Sequence, residues 1–471
     1  MNAAVIWIIS PGFVALVLLL IPHLKSIVVW VGVGFTLFLA ALAWWLPINE
    51  LVSLGPISFQ ITPSLAILGR QFILYPADRP LLVMLYLGAA FWFGGSQFAN
   101  VDRHFVALSL GITALVTAAL FVQPFLYAAL ILELVVLVSV ALLTSPNQPI
   151  GRGVLRFLSF LTLGMPFILL VGWMLGGVEA NPGDTALASQ VIVLAAFGFG
   201  LLFAIFPFHT WIPMLAEEAH PYTAAFVFYI LSLAMPLFGL NFLERYNWLF
   251  TSPWLFVFLR LSGVLMVFTG GLGAIFQHHL GRLMGFAMVL EIGITLLALS
   301  LGIGVASNRA NMGILFALLL PRGLSLGVWA LSIATIREHT QGLNFDHLRG
   351  EGRHFVISAS CLFLALLNLV GFPLTAGFPV HLALLQGLGL QFPLAAYAVI
   401  VGSIGLLMSG VRALGVLVMG SGDQPWQIFE NRGQVYLLAL AGIFLIIIGV
   451  IPQWFYPLLF NMARIFLRIN Q

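Results

Sequence analysis

Apolar runs of about 18 or more residues recur along this chain from one end to the other, and each is long enough to cross the bilayer core as a helix. Of 471 residues, 62% are hydrophobic and only 7% are charged. A soluble domain carries about 25% charged residues, so this chain cannot cover itself with a surface that water would solvate. A membrane β-barrel would show alternating segments of about 10 residues, a pattern the sequence lacks. Helices satisfy their own backbone in lipid. The expected fold class is therefore all-α, a polytopic bundle of about 14 transmembrane helices without a soluble domain large enough to hold chemistry.

The apolar runs predict helices at roughly 4–22, 26–47, 80–98, 104–121, 123–144, 154–176, 188–207, 222–242, 254–275, 283–303, 312–333, 355–372, 394–418 and 435–452. Met1–Pro22 lacks a basic leader and a small-residue cleavage site, and is expected to be a retained first helix. Residues 453–470, with Arg464 and Arg468, read as an amphipathic helix lying along the interface. The chain is expected to form one transmembrane domain, with a first repeat at about 104–242, a second at about 254–418, and a C-terminal helix and tail over 435–471.

Several functions are excluded by what is missing. Cys361 is the only cysteine, so a disulfide within the chain, a four-cysteine cluster site and a cysteine-built zinc cage are ruled out. No His, Cys or carboxylate grouping has metal-ligand spacing, and no glycine-rich phosphate loop joins a strand to a helix. No metal, no cofactor and no nucleic-acid partner is expected. Whether the chain counts as part of an enzyme depends on what it assembles with, since no nucleophile, base and oxyanion donors come together in the sequence.

Two helices are expected to be broken. One has Pro207 and Pro213 around Phe208-His209-Thr210-Trp211, and the other has Pro373 and Pro379 around Leu374-Thr375-Ala376-Gly377-Phe378. Proline removes a helical hydrogen bond and frees carbonyls. In a membrane such a break survives only where protein or a wet cavity satisfies the freed groups. Paired breaks in two halves of a chain point to an inverted-repeat transporter and its site; packed helices that are simply kinked are the plainer alternative.

Counting alternate loops puts Lys25, Arg103, Arg152, Arg156, Arg282, Arg337, Arg349, Arg353 and Arg432 on one side. Arg70, Arg79, Arg245, Arg309, Arg464 and Arg468 fall on the other. The positive-inside rule then places both termini outside.

Glu133, Glu291 and Arg322 fall near helix centres, where a charge costs about 2.5–3.5 kcal/mol on insertion scales and must face protein or water. His209, His220 and His381 lie in or beside the breaks, where imidazoles could relay protons. The proton-path candidates are Glu133, His209, Glu291, Arg322 and His381; Glu217, Glu218 and His220 are candidates for an entrance loop. Each has a structural alternative. The carboxyls could bond a neighbouring helix, Arg322 could form a fixed pair with Glu291, and His209 could cap freed backbone. Glu217-Glu218 and His220 could be a solvated loop, and Arg260 and Arg412 are expected to snorkel from helix ends.

The stretch Phe206-Pro207-Phe208-His209-Thr210-Trp211-Ile212-Pro213, followed by Glu217-Glu218-Ala219-His220-Pro221-Tyr222-Thr223-Ala224, resembles a signature of the antiporter-like membrane subunits of respiratory complex I, which are shared with Mrp-type antiporters and membrane-bound hydrogenases. Leu280-Gly281-Arg282-Leu283-Met284-Gly285-Phe286 through Glu291-Ile292-Gly293, and Gly371-Phe372-Pro373-Leu374-Thr375-Ala376-Gly377-Phe378, are similar to two further motifs of that family in the same order. The resemblance spans roughly residues 80–420 and is nearest to the subunit-4 type of NADH dehydrogenase. It implies two inverted five-helix repeats, a polar axis at the membrane midplane and no redox centre. It also implies proton movement driven by electron transfer elsewhere in a complex of membrane and peripheral subunits in a prokaryotic cell membrane.

Carried over residue by residue, the resemblance gives a mixed result. Glu133 matches the family's helix-5 glutamate, but the positions of its lysines hold Leu202, a site around Met235, Gly281 and Leu326. Arg322 and Glu291 stand where the family has histidines, and His381 stands where it has lysine or glutamate. Lys25 is the chain's only lysine. Lysine can switch charge when buried, whereas arginine keeps its proton and leucine has none to give. Three functions follow: a proton-translocating subunit with a rerouted path, a non-pumping scaffold in a redox complex, or a stand-alone cation/proton transporter.

Overall fold

In a computed structural model, residues 2–21, 25–54, 57–67, 69–144, 149–180, 185–250, 252–302, 309–420, 426 and 428–466 are described. A helix occupies each of the predicted segments. In chain order these are α1 (Ser10–Leu19, preceded by a π-turn at Val5–Ile9), α2 (Lys25–Trp45), α3 (Arg79–Ser96), α4 (Phe105–Phe121), α5 (Tyr127–Leu143) and α6 (Arg152–Ala180). Next come α7 (Thr185–Leu202), α8 (Trp211–Glu218), α9 (Pro221–Arg245), the single turn α10 (Asn247–Phe250), α11 (Pro253–Ile275), α12 (Leu280–Gly302) and α13 (Gly313–Arg337). The chain ends with α14 (Val356–Val370), α15 (Gly377–Gln391), α16 (Pro393–Val418), α17 (Arg432–Val450) and α18 (Pro452–Phe466). Eight helices among the described residues are long and apolar enough to cross a membrane, and five shorter apolar ones accompany them.

Sequence reading missed the link between α2 and α3. Strands β1 (Leu51–Leu54) and β2 (Ile57–Gln60) pair antiparallel, as do β3 (Ser64–Ile67) and β4 (Arg70–Ile73). β4 also takes β5 (Val122–Gln123), so α5 begins at Tyr127 and not at 123. The predicted interfacial tail is present as α18, which packs on α13. Arg468 lies outside the described residues, as do the side chains of Arg309 and Arg464.

Both predicted breaks exist, and they are built alike. α7 stops at Leu202; Ala204 is left-handed at φ 51°, and the Ile205 N–H returns to the Gly200 carbonyl at 2.8 Å. α14 stops at Val370; Gly371 is left-handed at φ 75°, and the Phe372 N–H returns to the Leu367 carbonyl at 2.9 Å. Each is a Schellman stop closed by a six-to-one bond, with proline following shortly after. Pro213 and Pro379 break nothing, since each is the third residue of its half-helix, α8 or α15, where an N–H has no partner within the helix. The order α4, α5, α6, broken α7–α8, α9 is repeated by α11, α12, α13, broken α14–α15, α16.

Burial decides which helices can hold charge. In α9, α12 and α13 the most apolar window is 89% buried, against 33–39% in α2, α6 and α17. The interior trio carries the contacts between the two five-helix series: α9 packs on α13, and α8 packs on α12. Around it, glycines let backbones close up. A Cβ at Gly402 of α16 would sit 2.8 Å from the Val267 carbonyl oxygen of α11, and the Gly271 backbone faces Gly402. Such small-residue contacts supply the van der Waals packing that joins helices in lipid. Gly402→Val should part α11 from α16 and lower the thermal midpoint of the detergent-solubilised protein, at a cost of about 1–3 kcal/mol for overpacking. Gly389, whose Cβ would meet nothing within 4 Å, should accept alanine with little effect in the same measurement.

Candidate functional site

Glu291 on α12 and Arg322 on α13 meet at the centre of the bundle. The Arg322 Nε donates to Glu291 Oε2 at 2.8 Å, and an Nη nitrogen lies 2.8 Å from the same oxygen. That Nη also donates to Thr295 Oγ1 at 2.8 Å and to the Glu291 carbonyl at 3.1 Å. Both charged side chains are only 2% exposed. Pro321, inside α13, removes one helical bond beside the pair. Its carbonyl is taken by Asn368 Nδ2 at 3.2 Å.

Asn368 was not singled out by sequence reading, yet it ties the second break together. Its Nδ2 also donates to Ser325 Oγ at 2.6 Å, and its Oδ1 accepts the Gly377 N–H at 2.7 Å, closing the start of α15. The sequence signal was an uncharged amide inside the apolar run Leu366-Leu367-Asn368-Leu369-Val370, directly before the break. Tyr456 of α18 adds a bond to the Ala376 carbonyl.

The other proton-path candidates stand apart. Glu133 is half-buried, and its Oε1 accepts from Thr162 of α6 at 2.7 Å. His209 is buried in the first break, stacked on Phe206 at 5.7 Å with Nδ1 unpartnered. His381 in α15 is buried, with Nδ1 2.9 Å from the Gly377 carbonyl and Nε2 unpartnered. Among the described residues no hydrogen bond or ion pair joins Glu133, His209 or His381 to the Glu291–Arg322 pair.

Between that pair and the first series lies a cavity of about 40 Å³. Leu202, Met235, Trp211, Phe228 and Met288 form most of its wall, with Arg322, Thr295 and Ser232 at the polar edge. Leu202 and Met235 are the positions where the resemblance expected lysines. The Ser232 hydroxyl already donates to the Tyr229 carbonyl, and that of Thr295 to the Glu291 carbonyl. Apolar cavities of this kind stay dry, because a water needs two to four polar partners.

The entrance candidates serve as joints. Glu217 lies 3.4 Å from Arg282 at the start of α12, and Glu218 Oε2 accepts the Gly153 N–H at 2.7 Å, capping α6. Gly281, another lysine position of the resemblance, has the Ala216 carbonyl where a side chain would begin, and Gly285 has Pro213. Close contact between α8 and α12 leaves no room there for any side chain. The expected snorkelling of Arg260 is not observed. It is 8% exposed, bonded to Gln391 at 2.9 Å and laid over Phe256 at 3.6 Å, because α15 and α16 fold across it. Arg412 also turns inward, donating to the Gln277 carbonyl.

His279 and His220 each precede a helix, α12 and α9, outside the spans. His279 Nδ1 accepts the N–H groups of Gly281 at 3.1 Å and Arg282 at 3.3 Å, which requires that nitrogen unprotonated. Burial, then Arg282 and Arg337, pushes its pKa down to about 4. Burial, then Arg337 and Lys25, does the same to His220.

Apolar spans, two broken helices and charges confined to the interior define an integral membrane protein of the antiporter-like class. The transmembrane family described as NADH:quinone oxidoreductase/Mrp antiporter matches residues 154–409, more than half of the chain, and the chain belongs to that family. Subunit N 2 of an NADH-quinone oxidoreductase from Solidesulfovibrio magneticus is 27% identical over 60% of this chain and 60% of its own length. Formate hydrogenlyase subunit 3 of Escherichia coli is 28% identical over 41% of this chain and 32% of its own. The chain thus spans about a third to three fifths of these curated relatives. The subunit-4 likeness rests on the motifs alone, since the relatives named for NADH-quinone oxidoreductase bear the label subunit N. The fold matches a chain in the Mrp complex of Dietzia sp. DQ12-45-1b, with TM-score 0.79, 17% identity and coverage of 99% of this chain and 98% of that one. It also matches a chain of an archaeal membrane-bound sulfane sulfur reductase, with TM-score 0.80, 18% identity and coverage of 98% and 97%.

Two tests follow from the geometry. The two histidines are neutral in the folded chain down to about pH 4, whereas the unfolded chain takes up their protons below about 6.5. The unfolded state binds more protons in that window, so stability falls as pH drops from 6.5 to 4. His279→Gln should flatten that decline in a thermal-shift series. Asn368→Leu leaves the Gly377 N–H and the Pro321 carbonyl unpaired, at about 1–3 kcal/mol each, and should lower the melting midpoint more than Asn368→Asp does.

Proposed function

We propose that this protein is an antiporter-like membrane subunit of a multi-subunit redox or ion-translocating complex, and that its own midplane is latched and does not conduct protons. It contributes no redox centre, and its partners are the other membrane and peripheral subunits of that complex. We place it in a prokaryotic cell membrane with both termini outside, a reading that rests on the loop arginines. The series 104–242 and 254–418 are taken as inverted repeats, which their shared order of helices and breaks supports.

One observation carries the latched reading. The central charge, Arg322, is spent on Glu291 and Thr295, and an apolar cavity walled by Leu202 and Met235 separates it from the first series. Arginine cannot take part as a proton carrier, because it stays protonated. A rerouted proton path is favoured by one contrary feature: His209 and His381 are buried with a free ring nitrogen each.

The experiment is a comparison of variants in the assembled complex, reconstituted into proteoliposomes with a pH-sensitive dye. Glu291→Gln or Arg322→Met alone strands a buried charge or its partners and should cost about 3–5 kcal/mol, seen as poor assembly. The double variant should assemble and leave the complex's proton translocation per turnover unchanged. Full assembly with lost translocation would show that protons pass through this pair.

A further inference from the structure

Glu133 is the one mid-helix charge that the fold leaves at its outer surface. It precedes the end of α5, Leu143, by ten residues, and its donor Thr162 follows the start of α6, Arg152, by ten. At 1.5 Å per residue both lie about 15 Å from the same end of the helix pair. That is half the roughly 30 Å apolar thickness of a bilayer. Thr162 is exposed, and its bond to Glu133 Oε1 lies at the surface. Around it Leu130, Leu134, Leu137 and Leu163 are 47%, 49%, 47% and 51% exposed. The patch is an apolar rim with an acid at its centre, facing sideways at mid-depth.

Lipid is a poor neighbour for such a centre, since intramembrane acids turn to protein, water or a counter-charge. The chain itself offers none. Glu133 belongs to none of the ion pairs among the described residues, and its Oε2 has no hydrogen-bond partner. Oε1 retains acceptor capacity beyond the Thr162 bond. On α7, where the resemblance expected a lysine, stands Leu202.

We propose that the α5–α6 face is a subunit interface, and that a transmembrane helix of a different subunit sets a lysine or arginine against Glu133 at mid-depth. The cation is thus supplied from outside the chain. The rim leucines exclude lipid around the pair, and the charge complementarity fixes the depth at which the partner helix docks. The inference rests on the reading of this chain as a subunit of a complex.

The test uses the intact complex in its native membrane, with a photo-reactive amino acid at Leu134 and, as a control on the outer face of α17, at Leu440, which is 69% exposed. The expected adduct at Leu134 joins a transmembrane segment of another subunit that carries Lys or Arg within one helical turn of the link, while Leu440 yields lipid. Lipid alone at Leu134, a segment without a cation, or a second copy of this chain overturns the proposal. Glu133→Lys should cut recovery of the complex about tenfold or more, and reversing the partner's cation to glutamate should restore it. Failure to lose or to regain assembly also overturns it. If the chain purifies with no other subunit, the reading of it as a subunit has failed; if it co-purifies but cross-links only to lipid at Leu134, only this interface has failed.

Discussion

In a medium without water, every backbone group released from a helix and every charge must find its partner inside the protein. That constraint organises this molecule. It explains why both breaks end in six-to-one bonds, why Asn368 uses its donor and acceptor groups across three elements, and why Arg322 is held by Glu291, Thr295 and a carbonyl together. The interior helices α9, α12 and α13 are the only ones buried enough to hold a full ion pair, and the pair sits on two of them.

The same constraint separates the two halves. In the second series the polar groups are gathered into one connected cluster on α12, α13, α14 and α15. In the first series they are scattered, with Glu133 at the rim, His209 in the break and the cavity wall made of Leu202 and Met235. A proton needs an unbroken series of groups that can both accept and release it, and the region between the halves offers side chains that do neither. Family membership therefore fixes the scaffold, while the residues on it decide whether the scaffold conducts.

Much of the fold was legible because lipid makes helices announce themselves. Apolar runs gave every long helix, and Pro207 and Pro373 marked both breaks to within a few residues. The pairing of Glu291 with Arg322 was foreseen as one of two readings, since charges on successive buried helices have few other choices. What stayed hidden depended on contacts between distant residues. Nothing about Ala204 says that it turns left-handed, and Thr162 and Thr295 look like ordinary small residues in apolar runs. The strands over 51–73 are short, and their Gly-Pro and Gly-Arg turns carry little weight beside the long runs that flank them.

The approach of α8 to α12 limits how the chain could be rebuilt. At Gly281 the Ala216 carbonyl already fills the space a side chain would need, so a lysine there would have to prise two helices apart and strain the Glu217–Arg282 joint. Leu202 and Met235 border open volume, where a longer side chain displaces only empty space. An engineer seeking to install a charge relay in this scaffold would therefore begin at the cavity and leave the helix crossing alone.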